Sequence, residues 1–143
     1  MLELMKRRTV DLLVEQFWKH GYLTVSRKFG TYLPEPAKVG TFDVDIIAKQ
    51  KNNYAIGITL TADDLKNTDI TERLNFLATR QTKYTNKRVL LFIGTPVDIY
   101  KNVKVLLETL SPDVRKNIRL FQIEERQAQF TRRSRKNESV LFS

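Results

Sequence analysis

The chain has 143 residues, 41% of them hydrophobic and 10% aromatic, with no cysteine and one histidine, His20. That is the size of one domain, with apolar material for a core, while disulfides, zinc ribbons, iron–sulfur clusters, a cysteine nucleophile and a Ser-His-Asp triad lack the residues they need. The 25 basic residues outweigh 16 acidic ones, for a net charge of +9, a balance that points to a polyanionic or acidic partner.

The first predicted element is a helix over residues 3–20. Val10, Leu13, Val14, Phe17 and Trp18 fall at i, i+3, i+4, i+7 and i+8 and share one face, so all of them, Trp18 included, are expected in the core. Gly21 suits a left-handed cap at the helix end, and His20 beside it reads as a cap or surface residue. YLTVSRKF (22–29) alternates as a strand does, and GTYLPEPAKVG (30–40), with two Gly and two Pro, reads as a loop. Residues 42–48 and 54–60 are two more strands, joined by a polar KQKNN hairpin turn.

A second helix is predicted around 69–85. Asp69 and Glu72 have capping-box spacing there, and Ile70, Leu74 and Leu77 line one face. RVLLFIG (88–94) is a continuous apolar run, as in a buried central strand. Pro96 breaks the chain, and Ile99, Val103, Leu106, Leu107 and Leu110 mark a third helix. Ser111-Pro112 begins a short turn, and IRLFQI (118–123) is the last strand. The body, residues 1–125, is therefore α/β. Residues 126–143 hold Arg126, Arg132, Arg133, Arg135 and Lys136 against Glu138 alone and read as a flexible basic arm.

A helix followed by a β-hairpin that carries Asp43-Val44-Asp45-Ile46-Ile47-Ala48 resembles the PD-(D/E)xK, or restriction-endonuclease-like, nuclease superfamily, and within it the archaeal Holliday junction resolvases. The likeness spans residues 7 to about 95. It takes in the Arg7-Arg8 pair, a helix with Glu15, Gly21-Tyr22, a strand with Arg27 and the following loop. It implies a central mixed sheet of about five strands flanked by helices, with Asp45 in the metal position, and a homodimer. Phosphodiester cleavage needs a hard cation held by carboxylates, which polarises the phosphate and lowers the pKa of an attacking water. A Glu and a Lys two residues apart on the next strand would face the same side and complete the centre.

This chain departs from that pattern at the decisive place, because Gly57 stands at the Glu position and Thr59 at the Lys position. Asp45, with Glu15, is left to attract a cation weakly at best. Loss of an acid–base group alone costs ~10²–10⁴ in rate. The expectation is a non-catalytic nuclease fold without a cofactor that binds DNA, branched or distorted DNA included, through its backbone. Arg7, Arg8, Arg27, Lys28, Tyr32 and Lys38, with Arg132, Arg133, Arg135 and Lys136 of the arm, are the candidate contacts. Arg80, Gln81, Lys83, Tyr84, Lys87 and Arg88 form a weaker basic cluster.

Two alternatives stand beside this reading. One is an active magnesium-dependent endonuclease or junction resolvase whose catalytic groups have moved to Asp63, Asp64, Lys66, Glu72, Lys49 or Lys51. The other is an interaction scaffold for a transcription or replication protein. No apolar run is long enough to cross a membrane, and the charged start MLELMKRRTVDLL does not read as a signal peptide, so a cytoplasmic protein without membrane contact is expected.

Overall fold

Alternation along residues 54–60 divides the molecule into two layers of core. In the computed structural model, which describes residues 2–83 and 85–123, five strands form one sheet. They are β1 (Leu23–Arg27), β2 (Ile46–Gln50), β3 (Asn53–Thr59), β4 (Leu90–Pro96) and β5 (Ile118–Ile123), and they lie in that order across the sheet. β1, β2 and β3 pair antiparallel, whereas β3, β4 and β5 pair parallel. The fold is thus mixed α/β, with helices on both faces.

Helix α1 (Leu2–Lys19) packs on one face. Val10, Leu13 and Phe17 lie fully buried there against Tyr22, Ile46, Ala48, Ala55 and Phe92. The Phe17 ring stacks on Phe92 with centroids 4.2 Å apart and planes 9° from parallel. On the other face, Ile56, Ile58 and Leu60 meet residues of the two parallel crossovers. The first crossover contains α2 (Ala62–Lys66) and α3 (Ile70–Ala78); the second contains α4 (Tyr100–Glu108) and α5 (Pro112–Arg115). Among the described residues no helix is long and apolar enough to cross a membrane.

Several details differ from the sequence-based expectations, each for a local reason. Trp18 is 67% exposed, not in the core. The buried stripe runs through Val10, Leu13 and Phe17, and the next residue is rotated about 100° around the helix. Asp69 precedes α3 but its side chain makes no cap bond. The capping box lies one element earlier, where Thr61 and Asp64 exchange bonds at the start of α2. Helix α3 ends at Ala78 rather than continuing to 85. The Thr79 hydroxyl donates to the Asn75 carbonyl (2.9 Å) and Arg80 Nε to the Phe76 carbonyl (2.8 Å), closing the last turn with side-chain donors. The hairpin turn shrinks to Lys51-Asn52, since Lys49 and Gln50 pair with Tyr54 and Asn53. The strand expected over 42–48 begins only at Ile46. The basic arm, 126–143, and Tyr84 lie outside the described residues.

Gly21 takes the left-handed conformation expected of a helix cap, with φ +83°. The more consequential glycine is Gly57, which faces α1. A Cβ there would lie 2.7 Å from the Phe17 ring and 3.0 Å from Ile46 Cβ. Phe17 is clamped between Phe92 and this strand and cannot retreat. We expect Gly57→Ala to destabilise the fold by about 1–3 kcal/mol, read as a lower urea midpoint with an unchanged slope.

Burial raises the pKa of the Tyr22 phenol, against a smaller downward pull from Arg119. The unfolded phenol therefore ionises first. Stability from this group is complete below about pH 10 and falls as pH rises beyond it. Urea midpoints of Tyr22→Phe should lose less of their value above that pH than those of the native chain.

Candidate functional site

Asp45 sits immediately before β2, and its main chain is held from both sides. Its N–H donates to the Gly57 carbonyl (2.9 Å), and its own carbonyl accepts the Lys28 N–H (2.9 Å). This pins the side chain inward, where the residue is 2% exposed. One carboxylate oxygen, Oδ2, accepts the Thr59 N–H at 2.7 Å and the Thr59 hydroxyl at 3.0 Å. The other, Oδ1, faces Lys6 Nζ at 3.6 Å and Lys28 Nζ at 3.7 Å. A carboxylate offers about four lone-pair directions, and four groups of this chain surround it. Burial of a lone carboxylate would be costly; two ammoniums and two hydrogen bonds offset that cost.

Two of the residues singled out for a nuclease centre, Asp45 and Thr59, therefore meet, but as acceptor and donor. Gly57 lies on the same face of β3, and the Phe17 ring occupies the space a side chain there would need. Glu15 is exposed and does not join them. It follows Lys6 by nine residues, about 13 Å along α1 and half a turn around it. Lys6 itself was missed in the sequence. The available signal was its position one turn before Val10, on the stripe that continues through Leu13 and Phe17. Lys28, expected as a DNA contact, turns its ammonium to Asp45 and keeps 28% of its side chain exposed.

The residues considered for a relocated centre are spread out or engaged. Asp64 bonds Thr61 and pairs with Arg73 at 3.7 Å. Asp63, Lys66, Glu72 and Lys51 are exposed, and Lys49 lies over the Tyr54 ring at 5.4 Å. Among the described residues no three of His, Asp and Glu come together as a metal site.

Beside Asp45, α1 and the loop after β1 enclose an open cavity of about 410 Å³, lined by Arg7, Asp11, Arg27, Phe29, Gly30, Thr31, Tyr32 and Leu33. Arg27 is fully employed as its wall. Its guanidinium pairs with Asp11, its Nε donates to the Lys28 carbonyl at 3.1 Å, and its backbone N–H ties down Pro34 at 3.0 Å. Phe29 takes φ 62°, a left-handed turn residue, and so presents its ring to the Arg7 guanidinium 5.3 Å away. Tyr32 stands 96% exposed at the rim. Arg7, Arg27 and Tyr32, three of the predicted contacts, thus converge. Arg8 is half-buried, and Lys38 is exposed farther along the loop. Arg80 lies over Phe76 at 3.6 Å in another part of the fold.

The cavity and the carboxylate cluster adjoin through neighbouring residues, Lys6 with Arg7 and Arg27 with Lys28. Four cations against two carboxylates leave two positive charges on this face. Compared with protein-family models, curated proteins and solved structures, the chain matches none.

We expect Asp45→Ala to cost about 2–4 kcal/mol, because the buried Thr59 donors lose their acceptor and the two ammoniums lose their counter-charge. Asp45→Asn, whose amide oxygen still accepts from Thr59, should cost less. Urea unfolding measures both; a neutral Asp45→Ala would contradict the role assigned to the carboxylate.

Proposed function

We propose that this chain binds DNA through the phosphate backbone and does not cut it, as a nuclease-like fold of the PD-(D/E)xK type whose centre has been filled in. The observation that carries the reading is the state of Asp45. The one carboxylate that the resemblance assigns to a metal is enclosed by Thr59, Lys6 and Lys28, while the neighbouring residues Arg7 and Arg27 line an open cavity. Lewis-acid activation of water needs carboxylate oxygens free to hold a cation. Attraction of phosphate needs only accessible positive charge.

Arg7 supplies such charge at the surface, and Lys6 and Lys28, each about one-third exposed, add to the field. Arg132, Arg133, Arg135 and Lys136 of the basic arm extend the footprint in this reading. Contacts of this kind follow the shape and charge of DNA more than its base sequence. A cytoplasmic location accords with it.

Affinity for a duplex should fall with salt, with a slope of log K against log salt of about −3 to −4, near 0.9 per neutralised phosphate. Arg7→Ala should reduce the slope by about one. Fluorescence anisotropy at several salt concentrations reads both. Incubation of junction, flap and single-stranded substrates with magnesium or manganese should leave them intact. Cleavage that Asp45→Ala abolishes would overturn the non-catalytic reading, and a duplex affinity indifferent to salt would overturn DNA binding.

A further inference from the structure

The cavity between α1 and the loop after β1 combines features that a backbone-binding surface does not require. Tyr32 is 96% exposed, so a large ring is held in water at the rim of a cleft. A duplex phosphate could be met by arginine alone. The second feature is charge. Within the cavity Arg27 is neutralised by Asp11, with which it pairs, so that Arg7 carries the one remaining positive charge. The third is size: about 410 Å³ falls in the ~300–1,000 Å³ range of small-ligand sites.

A ligand that suits all three has a flat π-face and a single negative charge, as one nucleotide within a strand has through its base and its phosphodiester. A base inside a duplex is stacked on both sides and cannot offer its face to a tyrosine. A nucleotide that is unpaired or turned out of the stack can. We infer that this cavity takes one unpaired nucleotide of a DNA strand, with its base against the Tyr32 ring and its phosphate at the Arg7 guanidinium. The inference rests on the DNA-binding reading and adds to it a preference for strands with an unstacked base. Arg27 and Asp11 act as the wall, and Phe29 steadies Arg7 through its ring face.

The test is fluorescence anisotropy of the full chain with three probes at one salt concentration. They are a perfect duplex, the same duplex with one bulged nucleotide, and that bulge with its base removed but its phosphate kept. The base-bearing bulge should bind more tightly than the abasic one by roughly 5- to 150-fold, the range of base–aromatic stacking. Tyr32→Ala should bring that ratio close to one, and Tyr32→Phe, which keeps the ring, should preserve it. Tyr32 is in solvent, so neither change threatens folding. Equal affinity of the native chain for both bulges overturns the inference, while duplex binding keeps the proposed function. Failure to bind any probe at ~0.15 M salt, where even non-specific binding should register, overturns both. Displacement of the bulged probe by micromolar deoxyadenosine monophosphate would assign the cavity to a free nucleotide and overturn the strand assignment.

Discussion

Helix α1 lies against β3 at the point where Gly57 has no side chain. The Phe17 ring fills that space and stacks on Phe92, and this contact sets both the height and the rotation of α1 on the sheet. Moving back along the buried stripe from Phe17, Leu13 and Val10 meet the sheet, and Lys6 arrives beside Asp45. The adjoining stripe, Arg7 and Asp11, faces the loop after β1. A shift of one residue would take Lys6 from the carboxylate and Asp11 from Arg27. The ion cluster and the cavity are therefore consequences of a single aromatic–glycine contact.

The ion cluster has an electrostatic logic of its own. Two ammoniums bring the same total charge to Asp45 as one divalent cation would. They differ in what that charge can do. A metal ion offers vacant coordination positions and acidifies bound water. An ammonium offers only N–H donors. A face built this way presents positive charge, and one of the two carboxylate oxygens, Oδ2, is already engaged by both Thr59 donors. The Thr59 N–H and hydroxyl hold the carboxylate in its inward orientation.

Next to this cluster the loop after β1 is held by few bonds. The Arg27 N–H to Pro34 fixes its far side, and the left-handed Phe29 turns it toward α1. Tyr32 and Leu33 remain in solvent between these anchors. The wall of Arg27 and Asp11 positions charge, and the Tyr32 ring stands exposed beside it.

The sequence by itself determined much of the framework. Alternation over 54–60 separated Ile56, Ile58 and Leu60 from Ala55, Gly57 and Thr59, and the structure keeps that division. The last strand, Ile118–Ile123, and the cap at Gly21 are where the pattern put them. These features are local, because strand and helix periods and the conformational freedom of glycine act between near neighbours. Only the tertiary structure decided the partners of Asp45. Lys6 lies 39 positions from Asp45, and Thr59 lies 14 positions from it on another strand. Hydrophobic period shows which side of a helix is buried. It carries no information on which distant charge waits at the end of that side, because that depends on how two elements with no common local signal are docked.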